Sequence, residues 1–493
     1  MNVAPHAATP ALARLLEHTA EAVQAVRGGR SLSDLLPRVP EALRPGVQAL
    51  AFSALRRLGA AQEVRARLAP KTPPPAVEAL LLTALALLWP DETPPYADHT
   101  LVDQAVAAAR ARTPAAAGFV NAVLRRFVRE RALWVDAAGH SPLGAYNHPA
   151  WWVERLRQDW PGHWQALLHE ANRRPPMTLR VNARRGSAAQ FVERLARHGI
   201  VAHLLAPNLL SPALPSLPPA ERACLQAQAA VVLAEPRAVS LLPGFAEGDV
   251  SVQDAAAQLA APLLLHGLPP GARVLDACAA PGGKTAHLLE LADVELTALD
   301  VDAQRLTRVR DNLRRLRLPA AGTAIESGAE TGTETRAGSV LVLAGDARQP
   351  AAWWDARPFD AILLDAPCTA SGIVRRHPDV RWLRRPADID NLAAVQAQML
   401  AALWPLLKPG GRLLYATCSI FKAEGEHQID AFLQRLGPAS ARRWPHSPGH
   451  LLPHPDNGLR GASGAAAPLS TTAIEASRGP SSDGFFYALI EKT

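Results

Sequence analysis

The chain has 493 residues, a formal net charge of +7 and four cysteines. That length allows about three domains of ~100 to 200 residues each. Four scattered cysteines exclude a disulfide framework and point to a reducing compartment, the cytoplasm. No apolar run approaches the ~18 residues that span a bilayer and the N-terminus lacks a signal-peptide pattern, so a soluble protein is expected. The basic balance, supplied almost wholly by arginine, favours an acidic partner such as nucleic acid; an arginine-rich genome would give the same balance.

In chain order, residues 11 to 135 are rich in alanine, leucine and arginine with helical spacing and are broken by proline or glycine, which predicts an all-α domain over 1–140. The segment AAGFVNAVLRRFVRER, 116 to 131, puts Phe119, Val123, Leu124 and Phe127 on one stripe and Arg125, Arg126 and Arg129 away from it. Such an arginine face is either a solvated surface or an RNA contact. The segment resembles the NusB-type helical RNA-binding domains, and that resemblance favours RNA.

Residues 146–250 open with YNHPAWWVERLRQDWPGHW and predict a small α+β module, with short strands at MTLRVNA and AAVVLAEP around the helix SAAQFVERLARHG. Trp152 is expected in the core, whereas Trp151 and Trp160 are either core or a base-stacking surface. The proline-rich SPALPSLPP, 211 to 219, reads as a loop.

From 251 to 493, strand-like runs alternate with helical patterns: ARVLDA, VELTALD, SVLVLAGD, FDAILLDAP, GRLLYATCS and the final GFFYALIEK. The expected fold is a Rossmann-like, doubly wound and largely parallel α/β sheet, which binds ligands at the carboxyl ends of its strands. After the first strand comes DACAAPGGKT. A phosphate-binding P-loop would need glycine where Cys278 stands, and a GxGxxG dinucleotide fingerprint is absent. S-adenosylmethionine remains, with Asp300 at the second strand end for its ribose and Asp346 at the third for its adenine. A single aspartate in such a place is more often a helix cap; three in successive βα units, beginning with Asp276, point to a cofactor.

Asp365 and Cys368 end the fourth strand, and Cys418 ends the fifth. Adjacent strands would bring both thiols into one crevice. Cys224 and Cys278 read as structural thiols. The spacing of Cys368 and Cys418 is wrong for zinc, so no metal is expected, and covalent catalysis remains. A thiolate adding to carbon 6 of cytosine makes carbon 5 nucleophilic, and a second thiol can serve the elimination that follows. Asp365 would meet the pyrimidine edge.

The motifs DACAAPGGKT, LDVDAQRL, GDAR, DAPCTASG and YATCSI, preceded by SVQDAAAQLAAPLL, resemble in order those of the Sun-type RNA cytosine-5 methyltransferases, and with the NusB-like start the layout is similar to the bacterial enzymes of that family that act on 16S rRNA. The resemblance implies that Cys278, Ala279, Ala280, Pro281, Gly282, Gly283 and Lys284 cradle the methionine end of S-adenosylmethionine. It also implies that Asp365 lies at the cofactor and target base, that Cys418 is the nucleophile, and that Cys368 assists product release. RRHPDVRW, 375 to 382, matches the family's substrate-side loop, making Arg375, Arg376 and His377 candidates for RNA contact. A monomer acting on 16S rRNA, naked or in a partly assembled small ribosomal subunit, is the resulting expectation. Its rivals are another rRNA site or tRNA, a DNA cytosine-5 methyltransferase using Cys368 alone, and a non-catalytic assembly factor. Polar stretches at 319–338 and 461–484 read as flexible insertions outside the motifs.

Overall fold

The computed structural model describes residues 11–90, 94–205, 229–319, 338–453 and 482–493. Cys224, the loop 211–219 and almost all of both insertions lie outside the described residues. The chain forms two compact units, one of residues 1–174 with 374–386 and one of 175–373 with 387–493.

The first unit is all-helical. Its central helix, Pro75–Leu87, is apolar on every side and buried from Val77 onward, as expected of a helix surrounded by others. Helices Leu12–Arg27, Arg44–Arg56, Leu58–Leu68, Asp98–Arg112 and Ala117–Arg129 turn apolar stripes toward the same core. In the last of these Val120, Val123, Leu124 and Phe127 are buried, but Phe119 is 40% exposed. The predicted stripe was therefore one position out, with Val120 taking the place given to Phe119. Trp152 is 1% exposed, in the core as expected, while Trp151 and Trp160 are half-buried.

The segment 374–386 is held in this unit by polar ties. Asp379 accepts hydrogen bonds from the Leu32 amide at 3.0 Å and the Ser31 hydroxyl at 3.3 Å. The fully buried Arg381 donates to the Ala171 carbonyl at 2.6 Å and to the Asn172 side chain. The Trp382 indole donates to the Leu55 carbonyl at 2.9 Å.

The second unit contains two sheets. Strands β1 (Met177–Val181), β2 (Ala202–Leu205), β3 (Ala230–Leu233) and β4 (Val250–Val252) form an antiparallel sheet in the order β2-β3-β1-β4. The helix Ala188–Arg197 packs on it, started by a capping box between Ser187 and Gln190. The small sheet begins at β1, while helices Ala150–Asp159 and Trp164–Glu170 lie in the first unit; β2 and β4 were not anticipated.

The larger sheet holds β5 (Arg273–Asp276), β6 (Glu295–Asp300), β7 (Val340–Ala344), β8 (Phe359–Asp365), β9 (Leu407–Thr417), β10 (Ala441–Arg443), β11 (Gly449–Leu451) and β12 (Phe485–Lys492). Its order is β10-β12-β9-β8-β5-β6-β7, with β11 also paired to β12. Strands β9, β8, β5, β6 and β7 run parallel, and those at the β12 side run antiparallel. Apolar layers cover both faces, which is why the parallel strands read as unbroken runs of Leu, Val, Ile and Ala. The order places β8 and β5 at the centre, where connections leave in opposite directions and a crevice opens at the carboxyl ends.

The two sheets are joined by a buried ion pair. Arg180 of β1, 3% exposed, meets both carboxylate oxygens of Glu290 at 2.8 and 2.7 Å, and also donates to Gln253 at 2.6 Å and the Gly283 carbonyl at 2.8 Å. Removing one partner of such a pair strands a buried charge, a cost of about 3–5 kcal/mol. Arg180→Ala should lower unfolding free energy by that order in urea titration, and the paired change Arg180→Met with Glu290→Leu should recover most of it. Equal loss in single and paired variants would contradict the account.

Candidate active site

The turn after β5 is built for close approach. Gly282 has φ of 100°, and a Cβ there would lie 3.0 Å from the Val309 Cα, so the turn takes only glycine comfortably. The Ala280–Pro281 peptide is cis. Side chains from the neighbouring βα unit fasten the loop: the Asp300 carboxylate accepts from the Ala280 amide at 3.1 Å, Arg305 donates to the Ala280 carbonyl at 3.0 Å, and Asn312 donates to the Pro281 carbonyl at 2.8 Å. Gly283 then opens the helix Gly283–Leu291, whose free amides face the crevice end of the sheet.

Carboxylates gather around this loop. Asp276 is buried and accepts from the Thr285 hydroxyl at 2.7 Å; burial, opposed by that bond and reinforced by Asp365, pushes it up to about 7. Asp300 is buried at the end of β6 and also accepts from the Asp302 amide at 3.0 Å. Asp346 lies two residues past the end of β7, whose Ala344 is in register with Asp300, and is clasped by Arg348 at 2.7 Å, which holds it below the usual carboxylate range. Asp365 ends β8 and accepts from Lys284 at 2.6 Å. Burial pushes the Cys278 thiol well up, and Asp365, Asp276 and Asp300 push it further, so it stays protonated in a negative field.

Asp365 of β8 pairs in register with Ala416 of β9, which brings the two following loops side by side. As a result the sulfurs of Cys368 and Cys418 lie 3.4 Å apart, both half-buried and unbridged. The hydrogen bond with Cys418, and then burial, pushes the Cys368 thiol well above the ordinary range. Lys284, held to Asp365, is the cation whose charge is felt at Cys418.

Both cysteine loops are tied to one carboxylate that sequence reasoning missed. Glu424, fully buried, accepts from the Thr369 amide at 2.8 Å, the Thr369 hydroxyl, the Ser419 hydroxyl at 2.6 Å and the Gln396 amide at 3.2 Å. Gln396 in turn donates to the Pro367 carbonyl at 2.9 Å and accepts from the Tyr415 hydroxyl at 2.9 Å. Burial raises the Glu424 pKa against these bonds. Gly372 completes the frame, since a Cβ there would lie 2.1 Å from the Gly484 carbonyl oxygen. Glu424 stands six residues after Cys418 in a segment without a recognisable spacing, so only a search for buried acids near the thiols could have found it.

The expected RNA-side residues are placed differently. Arg375 is 1% exposed and pairs with Glu170 at 2.9 Å inside the first unit, so it is not the solvated contact that the sequence suggested. Its neighbours Arg376 and His377 are half-buried and exposed. Arg125, Arg126 and Arg129 are exposed as expected, but they face Asp103 at 3.7 Å and Glu130 at 3.1 and 2.9 Å, which offsets their charge. Among the described residues no group of three or more His, Cys, Asp or Glu is placed to hold a metal, and no helix is long and apolar enough to cross a membrane.

Comparisons with known proteins place the chain in a family. Residues 264–490 match the family described as 16S rRNA methyltransferase RsmB/F, residues 148–209 the ferredoxin-like domain of RsmF/B-like methyltransferases, and residues 11–129 the NusB family. The ribosomal RNA small subunit methyltransferase B of Klebsiella pneumoniae (strain 342) is 39% identical over 481 residues, covering 95% of this chain and 96% of that protein. Its namesake in Xanthomonas campestris pv. campestris is 42% identical over 475 residues, covering 94% and 93%. The crystal structure of PH0851 has the same fold, with a TM-score of 0.65 at 24% identity over 97% of this chain and 99% of that one. With an all-helical NusB-like unit, a ferredoxin-like module and a Rossmann-like domain carrying paired thiols, the chain belongs to the RsmB/F family of 16S rRNA methyltransferases.

Proposed function

We propose that the chain methylates carbon 5 of a cytosine in 16S rRNA through a covalent adduct between Cys418 and carbon 6 of the base. The observation that carries this reading is the 3.4 Å approach of the Cys368 and Cys418 sulfurs beside the Lys284–Asp365 pair. The methyl donor is S-adenosylmethionine, and the residues present fit it. Burial first, and then the field of Asp365, Asp276 and Asp300, pushes the Cys278 thiol up, and that negative field favours a sulfonium cation. Residues Cys278 to Lys284 would hold the methionine end, Asp300 the ribose and Asp346 the adenine edge. When bound, the cofactor supplies an electrophilic methyl group.

The chain's own residues do the rest. Cys418 adds as thiolate to carbon 6 of the cytosine, and the electron pair of the 5,6 double bond moves toward carbon 5 and the ring edge. Lys284 stabilises the thiolate electrostatically, and Asp365 meets the pyrimidine edge. Splitting one difficult displacement into addition and elimination is the general gain of a covalent nucleophile. After methylation, loss of the carbon 5 proton to a base re-forms the double bond and breaks the bond from carbon 6 to sulfur. Cys368, whose sulfur lies 3.4 Å from that of Cys418, donates a hydrogen bond from its thiol to the departing Cys418 thiolate.

Cys418→Ala should abolish methyl transfer to 16S rRNA and leave no covalent complex. Cys368→Ala should form a complex with RNA that survives a denaturing gel and requires both S-adenosylmethionine and Cys418. Trapping by the Cys418 variant instead would reverse the roles, and unaffected turnover in both would end the covalent mechanism. Bisulfite sequencing of the methylated rRNA reads the position as cytosine carbon 5 or excludes it.

Asp300→Ala should weaken S-adenosylmethionine binding roughly 10- to 100-fold in calorimetry, the worth of a charge-assisted hydrogen bond. An unchanged affinity in a folded variant removes Asp300 from the site. Glu424→Ala, which frees both cysteine loops, should lower single-turnover methylation about 100-fold while both thiols remain titratable. Wild-type rates would show that the carboxylate is dispensable for alignment.

A further inference from the structure

The aspartate assigned to adenine is held from several sides. Arg348 donates to Asp346 Oδ1 from its amide at 2.9 Å and from Nε at 3.0 Å. It also donates to Oδ2 from Nη2 at 2.7 Å, with Nε shared at 3.1 Å. Nη1 of the same guanidinium donates to the Gln398 side chain of the helix Ala387–Leu403 at 3.3 Å, which braces the fork from its far end. The aspartate backbone is fixed as well, since its carbonyl accepts from the Trp353 indole and the Gln349 amide, both at 2.9 Å. A Cβ on the preceding Gly345 would lie 3.0 Å from both Leu299 and Trp353, so the chain reaches Asp346 through a tight slot.

An ionised carboxylate offers about four lone-pair sites and no donor. The Arg348 amide, Nε and Nη2 take about three of them, and one acceptor site is left on Oδ2, in a plane that the guanidinium sets. Such a clasp is not by itself a sign of a ligand. Arg357 holds Asp355 in the same way, from its amide at 3.1 Å and from Nε at 3.0 Å, in the segment that leads into the amino end of β8. Place separates the two: Asp346 follows the carboxyl end of β7, whose Ala344 is in register with Asp300.

The base chemistry is sensitive to that one site. Adenine presents an amino group at carbon 6 and a bare ring nitrogen beside it, whereas hypoxanthine, its deaminated counterpart, presents a carbonyl there and an N–H beside it. A carboxylate with a single fixed acceptor site can take the amino hydrogen and would meet the carbonyl lone pair to lone pair. A carboxylate free to turn could shift to the ring N–H and accept either base. Discrimination of this kind comes from the unfavourable contact as much as from the favourable one.

We propose that Arg348 determines the purine specificity of the cofactor site, fixing the Asp346 carboxylate so that it accepts a 6-amino purine and rejects a 6-oxo purine. The proposal rests on the reading of Asp346 as the partner of the adenine edge. It concerns binding and can be measured without RNA or methyl transfer.

The test titrates the full-length protein by calorimetry with S-adenosylhomocysteine and with S-inosylhomocysteine, its deaminated counterpart. The unaltered protein should bind the adenine compound about 10- to 100-fold more tightly, the worth of one hydrogen bond to a charged group. In Arg348→Ala the preference should fall toward parity. Arg348→Lys, whose ammonium cannot fix both oxygens in one plane, should lie between. The Arg348 side chain is 40% exposed, so melting temperatures should stay as in the unaltered protein. Arg357→Ala, which removes the corresponding clasp at the other end of the sheet, should keep the full preference. A preference retained in Arg348→Ala overturns the proposal, even where both compounds bind more weakly. Tighter binding of the adenine compound by that variant also overturns it, since the arginine would then compete with the base. No preference in the unaltered protein, or an equal loss in Arg357→Ala, has the same consequence. Asp346→Ala separates this proposal from the reading beneath it. A preference that survives in Asp346→Ala removes that residue from the adenine edge; loss there, with retention in Arg348→Ala, keeps the adenine assignment and overturns only the part given to Arg348.

Discussion

The candidate site depends on a carboxylate buried between the two cysteine loops. Glu424 accepts hydrogen bonds from the Thr369 amide and hydroxyl, the Ser419 hydroxyl and Gln396, and so fixes the residue that follows each thiol. Burying an ionised carboxylate costs several kcal/mol, which only a full set of donors offsets. Each charge-assisted bond contributes about 1.5–3 kcal/mol in such surroundings. The set is full here, and its members come from the loops after β8 and β9 and from the helix Ala387–Leu403. The 3.4 Å contact between the sulfurs is a consequence of that frame.

The same logic, a buried charge satisfied from several elements, recurs where the chain must hold distant segments together. Arg180 and Glu290 join the small sheet to the helix that follows the cofactor loop. Arg381 and Asp379 fasten segment 374–386 within the helical unit, although in sequence that segment sits among the methyltransferase motifs. Arg381, the last arginine of RRHPDVRW, is therefore an internal tie. Arginine suits this use because its planar fork can satisfy several carbonyls and carboxylates at once.

Electrostatics at the strand ends separate two kinds of chemistry within one crevice. Around the loop 278–284, burial and then the field of Asp365, Asp276 and Asp300 push the Cys278 thiol up, and that field favours a cation. At Cys418 the Lys284 ammonium supplies the opposite sign. Asp365 and Lys284, bonded at 2.6 Å, stand at the boundary between the loop 278–284 and the thiols.

Much was legible in the sequence because it is written locally. Apolar runs ending in Asp276, Asp300, Asp365 and Cys418 specify strands and put those residues at carboxyl ends, whatever the packing. Glycines before Lys284 specify a tight turn, and the helical spacing of the first 140 residues specifies an all-α unit. Pairing was not written locally. Glu424, Arg180 and Arg381 take their meaning from partners up to 234 residues away, and the slots of β2, β4, β10 and β11 in their sheets depend on neighbours rather than on their own short runs. The one-position shift of the stripe at Phe119 has the same origin, since helical spacing gives a face but only the packed core decides where that face is centred. Local periodicity fixed which residues stand at the site; the satisfaction of buried charges, a property of the folded whole, decided what holds them there.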